Sequence, residues 1–146
     1  MDENNELITI LEVKENDFNI NKNVDLSELN NGRLMLGIIC ALGYMEGTEE
    51  LKMNIGFRVL YDEKQAVLLS YSIACCAKIT GWKEMSHKEA DVRLNPAVEK
   101  LVDYCYAYLG GAMMKHTEAT NLKKFYLPVL DVKEFMPYLI VKELDA

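Results

Sequence analysis

The residues best equipped for chemistry in this 146-residue chain are two histidines and four cysteines, and their spacing offers neither a metal site nor an activated nucleophile. His87 and His116 lie in different contexts, with no third ligand at the spacing a zinc ion needs. His116-Thr117-Glu118 has the H-x-E form of a zinc deaminase, but the downstream P-C-x-x-C that would complete the ligands is missing. Beside Lys115, His116 reads instead as a cation at the end of a helix, where it suits the dipole. None of the cysteines forms a C-x-x-C pair. Cys75 and Cys76 are neighbours on an expected strand and so point to opposite faces, while Cys40, Cys75 and Cys105 occupy apolar runs in which a thiol behaves as a small hydrophobe. Ser27, Ser70, Ser72 and Ser86 have no G-x-S-x-G elbow around them, and Gly110-Gly111 lacks the rest of a phosphate loop. No enzyme, metal or cofactor is expected.

Composition narrows the function classes further. Half of the residues are hydrophobic, enough for one real core and one domain spanning 1–146. A formal charge of −7 argues against nucleic acid, whose binding depends on Lys and Arg displacing counterions from phosphates. The start, Met1 to Glu6, has no basic region followed by an apolar core, and no run elsewhere approaches a membrane span, so a cytoplasmic protein is expected. Glu46, Glu49 and Glu50 flank a Gly-containing turn and read as a solvated loop, with an acidic docking patch for a basic partner as the alternative.

Alternation organises the first half of the chain. Leu51, Met53, Ile55, Phe57, Val59 and Tyr61 share one face of a strand; Val67, Leu69, Tyr71, Ile73, Cys75, Ala77 and Ile79 share one face of the next, with Asp62-Glu63-Lys64-Gln65 as the turn between them. Residues 7–20 read as a strand with irregular alternation and a bulge near Asn16-Asp17. Asn21 to Gly32 reads as a loop carrying Val24, Leu26 and Leu29. Arg33 to Met45 is apolar with Gly37 and Gly43 inside it, which favours a strand with a close backbone approach over a helix weakened by two glycines.

After Trp82 the chain is charged and polar up to Leu94, a connector or short surface helix, and Asn95-Pro96 then predicts a helix, since Asn is a favoured N-cap and Pro a favoured first residue. Val98, Leu101, Val102, Cys105, Leu109, Ala112, Met113 and His116 form one stripe that can cover a sheet. Tyr104, Tyr106, Ala107, Tyr108 and Met114 lie off it, and Gly110-Gly111 leaves room for another backbone. Such a helix is buried on more than one side, so Tyr104, Tyr108, Gly111 and Met114 are the expected oligomer interface. In the tail, Asp131 can cap a short helix from Val132 that Pro137 interrupts or restarts. The fold expected is α+β: a four-stranded antiparallel sheet covered on one side by a long helix and a short C-terminal helix. Val24, Leu26 and Leu29 with Phe125, Leu127, Phe135, Met136 and Leu139 could line a groove for extended apolar peptides, or be ordinary core and subunit interface.

That order of elements, ending in Leu127-Pro128-Val129 and then Asp131-Val132-Lys133-Glu134-Phe135-Met136-Pro137-Tyr138-Leu139, resembles the SecB export-chaperone family, as does a first strand closing on Asp17-Phe18-Asn19-Ile20 before a crossover loop. The segment Leu94-Asn95-Pro96-Ala97-Val98-Glu99-Lys100 departs from the family's Cys-Pro and Phe-Pro-Tyr-Ala-Arg-Glu signature before the long helix. The resemblance implies a homo-oligomer, dimer or tetramer, joined through the long helix. It also implies an ATP-independent chaperone that holds unfolded or extended polypeptide, with a translocase motor or an antitoxin as further partners. Carried over residue by residue, the peptide groove takes Phe135, Met136 and Leu139 from the tail and Leu36 and Ile38 from the second strand. The alternative is an oligomeric assembly protein of phage or bacterial origin whose apolar surface is consumed by a fixed interface.

Overall fold

The computed structural model describes residues 7–20, 34–61, 66–117 and 129–144. In it β2 (Leu34–Tyr44), β3 (Glu50–Tyr61) and β4 (Ala66–Ile79) form an antiparallel meander, while β1 (Ile8–Ile20) pairs antiparallel with β4. A fifth strand, β5 (Ile140–Glu143), lies parallel to β2, giving the order β1-β4-β3-β2-β5. This corrects the expected α+β fold with a four-stranded antiparallel sheet: the fold is mixed α/β and the sheet is mixed. The missed strand follows the 3-10 turn over Met136–Tyr138 and begins with the β-branched pair Ile140-Val141. By running along the edge of β2, it satisfies polar backbone groups of Ala41–Tyr44 and buries Val141 against the core.

One face of the sheet carries the core. Met53, Ile55, Ile73, Cys75 and Leu42 are fully buried there, in register across the three central strands as the alternation predicts. Departures from alternation have local causes. In β1 the register shifts at Leu11 and at Asn16, so the expected bulge is present and a second accounts for the consecutive apolar residues at 10 and 11. In β4 a shift between Leu69 and Val67 leaves Leu68 as the extra residue. Leu68 is therefore buried, and Val67, expected to share a face with Leu69, is 38% exposed.

Helix α2 (Pro96–Thr117) crosses the core face of β3 and β4 and seals it with Val98, Leu101, Val102, Cys105, Leu109 and Met113, all fully buried. Its start is where Asn95-Pro96 predicts: the Asn95 side-chain oxygen accepts from the Ala97 N–H at 2.9 Å. A short helix α1 (Glu89–Arg93) occupies the polar connector, preceded by a 3-10 turn whose Trp82 is fully buried. Helix α3 (Val132–Phe135) is capped by Asp131, which accepts from the Glu134 N–H, and a 3-10 turn over Met136–Tyr138 continues it through Pro137. Gly43 meets the tail as a close-approach glycine should, since a Cβ there would lie 2.8 Å from the Leu144 side chain.

Because the Asn95 cap starts the helix that seals the core, Asn95→Ala should destabilise the protein by about 1 kcal/mol and Asn95→Asp by much less, read as shifts of the urea midpoint at constant slope.

Candidate functional site

The two edges of the sheet are built differently. The outer edge of β1 carries Glu12 and Lys14, 3.8 Å apart, and two bulges, features that discourage another strand from pairing. Strand β2 reads Leu-Met-Leu-Gly-Ile-Ile-Cys-Ala-Leu-Gly-Tyr, with no charge and no proline, and pairs with β3 in unbroken register along its whole length. On its other side β5 reaches only Ala41–Tyr44. What stops β5 is local: Arg93 donates from Nε to the Leu139 carbonyl at 2.9 Å, and the Leu139 side chain is fully buried, which turns the preceding chain inward. From Met35 to Ile39 the outward-facing backbone of β2 therefore has no strand partner among the described residues.

Apolar side chains flank this open edge on both faces. Leu36 and Ile38 are half-buried on the helix side, packed against the core. On the uncovered side, Met35 and Ile39 are 51% and 61% exposed, with Gly37 between them. A depression of about 320 Å³ opens here, lined by Gly37, Ile39, Gly56, Arg58, Leu60 and Ser72 among others. Its two glycines differ. A Cβ on Gly56 would come within 2.8 Å of Ser72 Cβ, so crowding explains that residue, whereas a Cβ on Gly37 would meet nothing.

The groove residues expected from sequence divide three ways. Leu36, Ile38 and Phe135 are half-buried, Met136 and Leu139 are core residues at 4% and 0% exposure, and Phe125 and Leu127 lie outside the described residues, as do Val24, Leu26 and Leu29. Sequence reasoning noted Gly37 as a strand glycine but missed Met35, Ile39 and Arg58 beside it. Their signal was the second phase of alternation in β2, apolar on both faces, where a strand covered on one side only should show polar residues.

The four residues expected at an oligomer interface all lie on the outer face of α2. Tyr104, Tyr108 and Met114 are 43%, 39% and 47% exposed, the two tyrosine rings stand 6.5 Å apart, and a Cβ on Gly111 would meet nothing within 4 Å. Tyr106, which the periodicity also set off the sheet-covering stripe, is buried.

The polar side chains serve attachment. Tyr71 donates from Oη to Glu15 Oε1 at 2.6 Å, and His116 Nε2 reaches the same oxygen while its ring stacks on Phe18 with centroids 4.6 Å apart. These contacts tie the second bulge of β1 to the end of α2, so His116 has a specific partner beyond the helix dipole. The Tyr71 hydrogen bond, then the His116 one, hold the Glu15 carboxyl below its usual range. At the other end of the sheet His87 stacks on Trp82 and its Nε2 donates to the Trp82 carbonyl at 2.8 Å, with Glu46 3.9 Å from Nδ1. Glu49 accepts from the Gly81 N–H at 2.6 Å, which gives one of the clustered carboxylates a structural role. Burial pushes the Cys40 thiol up to about 12, and Cys75 and Cys105 are likewise fully enclosed. Among the described residues no three His, Cys, Asp or Glu side chains converge as metal ligands.

Compared with known proteins, the sequence matches no protein-family model and no curated protein. No helix among the described residues is long and apolar enough to cross a membrane.

A group whose folded pKa is lowered adds stability above its unfolded pKa and loses it as pH falls through the folded value. The wild type should therefore lose more thermal stability than Glu15→Gln between about pH 6 and about pH 3.5, measured as the change in Tm for each.

Proposed function

We propose that this protein is a non-enzymatic, ATP-independent holder of extended polypeptide, SecB-like in its action, and that it works as a homo-oligomer. The observation that carries this is the contrast between the two sheet edges. An apolar, straight, uncharged edge invites aggregation unless something is meant to pair with it, and β1 has the protective features that β2 lacks. An extended client adding to Met35–Ile39 would gain main-chain hydrogen bonds and would set alternate side chains beside Leu36 and Ile38. Support for the oligomer comes from α2. Gly111 has no positive φ and no crowding to explain it, sits among exposed aromatic and Met side chains, and weakens the helix by about 1 kcal/mol relative to Ala. A second backbone approaching closely accounts for it. This reading expects a cytoplasmic protein; a translocase motor or an antitoxin would be its further partners.

A second reading has its own support. Met136 and Leu139 are wholly inside the core, so less of the expected groove is open than a large client needs, which favours an assembly protein whose apolar surface meets one fixed partner.

One experiment separates these readings. Diluted with a denatured client, the chaperone suppresses aggregation at a stoichiometric ratio, and the assembly protein leaves the light-scattering trace unchanged. In the same preparations Gly111→Leu should lower the native mass measured by light scattering. If α2 instead faces solvent, the substitution leaves the mass unchanged and raises Tm, because Leu is the better helix former.

A further inference from the structure

We infer that the open edge of β2 selects extended segments bearing one carboxylate side chain, placed so that it stands beside Gly37 on the uncovered face of the sheet, and that Arg58 is the residue that reads it. This deepens the strand-addition reading above and rests on it.

The register supplies the geometry. Gly37 pairs with Arg58, and Arg58 with Ser70, so these three form one row across the uncovered face. A strand added outside β2 extends that row by one position. The added residue and Arg58 would then be two strand spacings apart, roughly 10 Å between Cβ positions. An ordinary side chain at position 37 would stand between them. Glycine leaves the way open, and an arginine and a glutamate reaching toward each other span that separation. Among the described residues neither an ion pair nor a hydrogen bond holds the Arg58 guanidinium. Nor does the fold itself ask for glycine here, since Gly37 has no positive φ and a Cβ would touch nothing. A glycine inside a strand weakens it and often marks a place where a ligand approaches.

Charge agrees with a carboxylate despite the overall −7. By register, Lys14, Lys52, Arg58, Lys78 and Lys142 fall on the uncovered face, against Glu12, Asp17 and Glu50, and Glu12 is already beside Lys14. The face is thus locally cationic on an acidic protein. Flanking positions, two residues to either side of the carboxylate, would lie against Met35 and Ile39, and the residues between would face Leu36 and Ile38. The ligand is therefore an extended segment alternating apolar with acidic or β-branched residues. A second copy of this chain fits less well, because two β2 strands paired about a two-fold axis at Gly37 would set glycine opposite glycine and offer neither Arg58 a carboxylate.

The test uses a fluorescein-labelled peptide, Ser-Thr-Val-Glu-Val-Thr-Ser, and its variants with Gln or Lys in place of Glu, titrated with the full-length protein by fluorescence anisotropy at low salt. The expected order of affinity is Glu, then Gln, then Lys, with Glu about three- to fivefold tighter than Gln. Arg58→Glu should reverse the order. Gly37→Val, which has space for its side chain, should bind all three peptides alike while circular dichroism shows an unchanged fold. Equal affinity of the three peptides for the wild type, or an order that survives Arg58→Glu, overturns the carboxylate preference and leaves strand addition standing. Absence of binding by all three, with β2 found paired to a second copy, overturns both.

Discussion

Everything in this fold depends on a sheet that the described residues cover on one side only. Helix α2 lies across β3 and β4, and a single stripe of six fully buried side chains closes the core against them. Apolar burial at roughly 25 cal/mol per Å² makes this contact the dominant stabilising one, and it decides which phase of every strand is inside. Since a shift of one residue would turn a strand's whole apolar set outward, the helix also fixes the register of the meander. The opposite face receives no such cover from the described residues, and the polar, glycine and lysine positions of β3 and β4 collect there.

Much of this architecture was legible in the chain. Alternation in β3 and β4, the Asn95-Pro96 start of α2, the Asp131 cap and the bulge near Asn16 were all readable because each is a local rule with a local residue type behind it. What could not be read was long-range. Residues 140–143 are too few to announce a strand, and their pairing with β2 depends on where α3 and Arg93 deliver them. The inversion at Val67 and Leu68 is a bulge with no Gly or Asn to mark it.

The candidate site shows the same division. The outer residues of α2 could be picked out because helical periodicity sorts faces cleanly. The groove could not, because burial of Met136 and Leu139 follows from tertiary contacts and an apolar tail reads alike whether it forms core or lines a cleft. Gly37 was noticed as a strand glycine, yet only the register reveals Arg58 as its neighbour. The two histidines and one of the clustered carboxylates, His87, His116 and Glu49, are spent on fastening the buried indole, the bulged first strand and a turn to the sheet.

The strand order has a kinetic consequence. Strands β2, β3 and β4 pair with sequence neighbours, but β1 matches Ile8 with Ile79, so its ladder closes one of the longest loops in the molecule. Entropy penalises that closure until the meander exists to receive it. Strand β1 therefore docks late in folding although the ribosome makes it early. Until β1 docks, the edge of β4 destined for it stands open to other chains, and the nascent protein is for that interval in the same condition as the clients it is proposed to hold.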